Sequence, residues 1–401
     1  MPARTAIWPP FPITIWNMIN DAIWNSINDA IWNSIIDAEP DANPVMPEED
    51  AAIAQPDNVC EIYLYLACSQ LPRLASAMQK PFPALIHLAL EVLDSDDSPP
   101  TPALPDGFLG GSAPRLQSLK LNRISFPALP NLLLSATGLV SLALLNVPES
   151  GYISPEVIVT SLAVMPNLKS LTIEFKFPPP LPDRERRHPS RSTRTALPAL
   201  TYLRFQGVCK YSEELMAQID APLLDTIYTT FHQSVFNIPE LAKFMRRTTR
   251  FQAFNEAHVK FYHKEIIVQS HPPTQFGKVS GLKITCEDVD GGPSSLAQIL
   301  ISLFPSIYVV EYLYIYGSGY LGWIDDIQWL EIFHPFTAVR KLYISQKFAA
   351  YITPALQELV RERVTDVLPA LECLFLEDLL RSDLFQEQLL GHPVTVSHWV
   401  R

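Results

Sequence analysis

The sequence predicts an α/β chain in which one strand–turn–helix unit is repeated and stacked on itself, and three observations carry that prediction. A nine-residue phrase, x-Pro-x-Leu-x-x-Leu-x-Leu, returns along most of the chain; it returns at a period of roughly 23 to 32 residues; and prolines, 37 against 14 glycines, tend to stand at one fixed place within it. With 401 residues, 48% of them hydrophobic and 18% charged, the chain has ample apolar material for a large core.

The clear copies are FPALIHLAL (82–90), APRLQSLKL (113–121), ATGLVSLAL (136–144), MPNLKSLTI (165–173), LPALTYLRF (197–205), FTAVRKLYI (336–344) and LPALECLFL (368–376). Weaker copies are PDNVCEIYL (56–64), APLLDTIYT (221–229), FGKVSGLKI (276–284) and IYVVEYLYI (307–315). The widest interval, between Leu224 and Val279, divides at Phe251, where RFQAF is a degenerate copy. Leu-x-Leu alternation is a strand with one buried face, and the leucine three residues earlier turns into the same core. The proline before it cannot continue a helix, because it lacks an N–H and disfavours helical geometry in the preceding residue.

Helix starts follow from capping residues between the strands. Ser154-Pro155-Glu156 opens one, Asn237 with Glu240 a second, Ser295 with Gln298 a third and Thr353-Pro354 a fourth. The period and phrase are those of leucine-rich repeats: a parallel sheet on the concave face, helices on the convex face, about 11 to 12 units. One departure marks the array as irregular. The Asn or Cys that usually follows the last leucine by three residues is replaced by Ile124, Val147, Lys176, Val208 and Leu379. The expected organisation is a low-complexity segment over 1–50 and a solenoid over 51–401, with a Pro/Arg-rich loop at 177–196.

Whole phrases carry a resemblance. MQKPFPALIHLAL (78–90), LPDGFLGGSAPRLQSLKL (104–121), FPALPNLLLSATGLVSLAL (126–144), FMRRTTRFQAFNEAHV (244–259), WLEIFHPFTAVRKLYIS (329–345) and LLGHPVTVSHW (389–399) are similar to the F-box and leucine-rich-repeat-like families of mushroom-forming fungi. The resemblance spans residues 56–401. It implies a substrate-recognition surface of the kind used by cullin-type ubiquitin ligase receptors, in which an N-terminal F-box binds a Skp-type adaptor. The first fifty residues contain no Leu-Pro-x-Glu-Ile/Leu phrase, so a Skp-type adaptor is expected only if an F-box lies upstream. The alternative expectation is a truncated fragment of such a receptor without present function.

Chemistry is otherwise quiet. A net charge of −12 and no basic domain argue against nucleic acid as partner. Five scattered cysteines without a C-x-x-C pair read as free thiols of an intracellular, cytoplasmic or nuclear protein. The apolar stretches 124–148 and 291–310 contain prolines and strand phrases, so no membrane span is expected. No nucleophile elbow, zinc-protease helix, P-loop or dinucleotide fingerprint is present; the expectation is a non-enzyme without cofactor or metal. Tyr316-Gly317-Ser318-Gly319 reads as a loop, His258, His263 and His271 as surface or loop histidines, and Asp94, Asp96, Asp97, Asp325 and Asp326 as solvated carboxylates. The arginines from Arg184 to Arg194 read as a loop excursion, with a polyanion patch as alternative.

Candidate partner contacts come from the x position between the last two leucines. It holds Lys120, Arg204, Tyr228, Lys283, Tyr314, Tyr343 and Phe375, with Tyr312 adjacent. Aromatic residues on a rigid sheet anchor partners well, because they bury large area at small entropic cost. Tyr312, Tyr314, Tyr343, Lys283 and Arg204 are the expected contacts for a protein or peptide on the concave face, the alternative being that a long loop or the C-terminal segment covers the aromatic residues. At the N-terminus the octad IWNMINDA-IWNSINDA-IWNSIIDA (15–38) leaves three readings open: a tandem duplication, an amphipathic cap on the first repeat, or a docking helix. Pro12-Ile13-Thr14-Ile15, which runs into it, resembles the short strand that leads from the F-box into the repeats in that family.

Overall fold

Each clear copy of the phrase folds as a reverse turn feeding a strand. The computed structural model describes residues 13–15, 56–93, 103–176, 194–232, 238–248, 251, 255–262, 265–270, 281–286, 307–318, 326–345, 349, 352, 367–377 and 397–400. In the turn, the amide of the first leucine donates to the carbonyl three residues back. Leu85 reaches Phe82 at 3.1 Å, Leu116 reaches Ala113 at 3.1 Å, Leu168 reaches Met165 at 3.2 Å and Leu200 reaches Leu197 at 3.2 Å. Pro83, Pro114, Pro166 and Pro198 take the second position of these turns, where a fixed φ near −65° is what the turn needs. The proline therefore shapes the entry to the strand as well as stopping what precedes it.

The chain divides into two compact units, Met1–Phe177 and Pro178–Arg401. The first contains β1 (Ile13–Ile15), β2 (Val59–Leu66), β3 (His87–Val92), β4 (Ser118–Asn122), β5 (Ser141–Val147) and β6 (Ser170–Phe175), paired in sequence order and all parallel. Leu88, Leu119, Leu142 and Leu171 are register-matched across neighbouring strands and buried. Burying each such side chain contributes about 1.5–3 kcal/mol. The helices α1 (Leu71–Ala77), α2 (Leu129–Ser135) and α3 (Pro155–Leu162) return the chain between strands and bury Leu74, Leu132, Leu133, Ile158 and Leu162.

The second unit contains β7 (Thr195–Ala196), β8 (Tyr202–Gly207), β9 (Ile219–Asp220), β10 (Thr226–Phe231), β11 (Glu256–Tyr262), β12 (Glu265–Gln269), β13 (Gly281–Cys286), β14 (Tyr312–Ser318), β15 (Lys341–Ser345), β16 (Cys373–Glu377) and β17 (Ser397–Val400). Among the described residues its helices include α4 (Cys209–Gln218), α5 (Pro239–Arg247) and α6 (Asp326–Phe333). The strands β7 and β9 pair with each other. The main sheet runs β8-β10-β13-β12-β11-β14-β15-β16-β17. Parallel strands alternating with helices over a leucine core make this a leucine-rich-repeat-like α/β fold.

Strand order departs from a simple array between β10 and β14. There β12 runs antiparallel to both neighbours, and β13, although later in sequence, lies beside β10. The degenerate copy at Phe251 does supply its turn, with the Phe251 amide donating to Thr248 at 3.1 Å. Its strand is displaced by three residues, however: Ala257, Val259 and Phe261 enter the core, six, eight and ten residues after the anchor, where the regular phrase has its first two strand core positions at three and five.

Helix capping also differs in detail. Ser154 precedes α3 but its side chain makes no capping bond. At α5, whose expected cap Asn237 lies outside the described residues, the amides of Glu240 and Leu241 donate to another helix, at Glu213 Oε2 and Oε1 at 2.7 and 2.9 Å. The starts at Ser295 and Thr353, the octad beyond Ile15 and most of the Pro/Arg-rich segment lie outside the described residues. At the positions vacated by the usual asparagine, Ile124, Val147 and Val208 turn into the core. A two-member asparagine pair forms nearby instead, Asn146 Nδ2 donating to Asn122 Oδ1 at 2.9 Å.

Candidate partner-binding site

Strand alternation in the second unit separates a core face from an open face. On β14, Leu313 and Ile315 are buried while Tyr312 and Tyr314 between them are partly exposed; β15 repeats this with Leu342 and Ile344 against Lys341 and Tyr343. Register then aligns the open-face residues into one row that crosses nine strands. Its first half is Arg204, Tyr228, Lys283 and Gln269, on β8, β10, β13 and β12. Its second half is His258, Tyr314, Tyr343, Phe375 and His398, on β11, β14, β15, β16 and β17. All five residues expected from the sequence lie on this face: Arg204, Lys283, Tyr314 and Tyr343 within the row, and Tyr312 two residues before Tyr314.

Four rings of the row form a continuous stack. His258 and Tyr314 stand 4.3 Å apart between centroids with planes 3° from parallel, Tyr314 and Tyr343 4.3 Å and 9°, and Tyr343 and Phe375 4.5 Å and 8°. The near-equal spacing follows from the separation of neighbouring strands, about 4.8 Å. Both faces of Tyr314 and of Tyr343 are therefore covered by neighbours, and the ladder turns ring edges outward. Aromatic edges carry the positive end of the ring quadrupole.

Cations flank the ladder. Lys341 Nζ lies 5.4 Å from the Tyr312 centroid and Lys260 Nζ 5.6 Å from that of Tyr316. At the entrance to β15 and β16, Arg340 Nε pairs with Glu372 Oε1 at 3.3 Å, both more than half exposed. Toward the C-terminal ends of the strands the face closes: Ile267, Thr285, Tyr316 and Ser345 are buried. The accessible part is thus the row from Arg204 to Phe375, apart from the buried His258, and the residues before it, with Arg204 exposed.

His258 corrects a sequence expectation. It is not a surface or loop histidine but is 4% exposed in β11, its Nε2 held at 2.5 Å by Glu256 Oε1 and its ring stacked under Tyr314. Tyr316, Gly317 and Ser318, expected in a loop, belong to β14, and Asp326 opens α6. His258 escapes the phrase because of the three-residue displacement after Phe251, and Gln269 because β12 runs antiparallel and belongs to no copy of the phrase. The signal that locates His258 is the local alternation Ala257-His258-Val259-Lys260-Phe261.

The first unit offers a different face. There the matching row is Tyr63, Ala89, Lys120, Ala143 and Thr172, and the row before it holds Ser118, Ser141 and Ser170. Lys120 is engaged by Glu91 at 3.1 Å, and the Tyr63 phenol is pushed up by burial and then by the Glu61 charge. Among the described residues no group of three or more His, Cys, Asp or Glu side chains is disposed to hold a metal, and no helix is long and apolar enough to cross a membrane.

No protein-family model matches the chain, and no curated protein matches its sequence. Among solved structures it is similar to the leucine-rich repeat-containing protein LegL7 from Legionella pneumophila, at 12% identity and a TM-score of 0.35, over 83% of this chain and 99% of that one.

Proposed function

We propose that the chain is a non-catalytic protein-binding module whose partner docks on the open sheet face of the second unit, over Tyr312, Tyr314, Tyr343, Lys283 and Arg204. The observation that carries this reading is the ring ladder: β14, β15 and β16, together with β11 of the degenerate copy, each commit an aromatic residue to one register-matched row. Core packing does not demand that arrangement, since the core lies on the other face. Rings already stacked in the free chain lose little entropy on binding, which favours them as anchors.

The similarity of whole phrases to F-box and leucine-rich-repeat-like proteins of mushroom-forming fungi supports a kinship with substrate receptors of cullin-type ubiquitin ligases. On that reading the second unit would be the substrate-facing part, in an intracellular setting, and adaptor binding would require an F-box upstream of Met1.

The test is affinity capture from extract of the source organism by wild-type chain and by the double variant Tyr314→Ala/Tyr343→Ala, with Arg204→Ala beside them. Proteins retained by the wild type should be lost with the double variant and weakened with Arg204→Ala, while circular dichroism stays unchanged for both. Equal capture by all three chains overturns the site.

A further inference from the structure

We infer that the partner engages this face through an acidic, extended peptide segment laid across the strands; the inference rests on the binding face proposed above. Three features of the row specify the charge. First, from β8 to β16 it contains Arg204 and Lys283 and no carboxylate, in a chain whose net charge is −12, and Glu256, which lies on the same face two residues before His258, is held by that histidine. Second, Lys341 and Lys260 lie on the same face beside the tyrosines. Third, the ladder offers only ring edges between its ends, because each of Tyr314 and Tyr343 has a ring against both faces.

The third feature separates the alternatives. A basic or methylated-lysine peptide, a nucleobase or a sugar ring needs an open aromatic face to stack on, and the inner rungs of this ladder have none. Carboxylates approach ring edges favourably, and the flanking ammonium and guanidinium groups add charge-assisted hydrogen bonds. Length follows from the row: eight strand spacings span about 38 Å, the reach of an extended peptide of about 12 residues. Long-range attraction by the cationic row speeds encounter and suppresses basic competitors.

The experiment is selection of a random dodecapeptide library on the full chain, with Arg204→Glu/Lys283→Glu and Tyr343→Ala as parallel baits, each checked for folding by circular dichroism. The wild type should enrich peptides rich in Asp and Glu. Their affinity, measured by fluorescence anisotropy, should fall at least about tenfold on charge reversal at Arg204 and Lys283 and fall again on raising salt. Replacing Asp and Glu in the winning peptide by Asn and Gln should cost a similar factor. A neutral or basic pool that still depends on Tyr343 overturns the acidic assignment and leaves the binding face standing. A pool indifferent to Tyr343, or no enrichment, overturns both.

Discussion

Glu213 and Arg247 show at single-residue scale how adjacent repeats are tied together. Glu213, in the first half of α4, accepts both leading amides of α5, where unpaired N–H groups and the helix dipole favour an anion. Arg247, at the end of α5, reaches back to the carbonyls of Met216 and Ile219 at 3.3 and 3.5 Å, covering the C-terminal end of α4. The two helices thus cap each other like with like, as parallel neighbours can. Burial pushes the Glu213 carboxyl above the usual glutamate range, opposed by its two amide bonds. Burial likewise lowers the Arg247 guanidinium, with the nearby Arg194 charge adding to it. A raised folded-state pKa means that the stability this carboxyl contributes is complete below the ordinary glutamate range and is lost as pH rises through the raised value. Glu213→Gln keeps the shape but leaves one amide without an acceptor, so a loss of about 1 kcal/mol is expected in urea denaturation. The variant should also show a flatter dependence of the midpoint on pH across the mildly acidic range. An unchanged pH profile would remove Glu213 from this account.

At the scale of the element, proline and leucine in the same phrase do different work. Leu200 is fully buried and supports β8, whereas Pro198 shapes the preceding turn, whose hydrogen bond uses the Leu200 amide and Leu197 carbonyl. Leu200→Ala should therefore cost about 2–5 kcal/mol through lost transfer energy and a cavity. Pro198→Ala acts mainly on the unfolded chain and should cost less than about 1 kcal/mol. Comparable losses in thermal denaturation would contradict the division of roles. This division also explains what the sequence makes legible. Strands such as β4, β5 and β8 announce themselves because turn, anchor and alternation agree. The swap that brings β13 beside β10 is invisible, because pairing partners are chosen by non-local backbone hydrogen bonds and not by any residue in the phrase. Four of the five candidate contacts are readable as one position of a repeat, and Tyr312 as a neighbour of that position. The stack itself is not, since ring orientation depends on register across β11, which the displacement after Phe251 hides.

At the scale of the whole molecule, each unit's sheet must deal with outer strands, which present unpaired N–H and C=O groups to any other strand. In the first unit the outer repeat strand β2 is covered by β1, where Ile13, Thr14 and Ile15 pair with Val59, Glu61 and Ile62. In the second unit the outer repeat strand β16 is covered by β17, which runs antiparallel and pairs Val400, Trp399, His398 and Ser397 with residues 373–376. The short N-terminal strand at Pro12-Ile13-Thr14-Ile15 was expected only through the family resemblance; the reversed strand at the other end, within the phrase LLGHPVTVSHW, carries no leucine alternation and was not legible. A strand that only covers an edge needs no helix behind it and so leaves no repeat signature. Its removal has a definite consequence. Truncation before Ser397 uncovers the backbone of β16 beside the last rung of the ladder, Phe375, and gives a second molecule both an edge to pair with and an apolar ring to bury. The truncated chain should self-associate, eluting as a larger and concentration-dependent species by size exclusion with light scattering, while its circular dichroism stays close to that of the full chain. Restoring a strand in trans, as a synthetic peptide of residues 391–401, should reverse the association, because pairing with β16 occupies the same hydrogen-bonding groups. A truncated chain that stays monomeric at high concentration would show that β17 is dispensable as an edge cover.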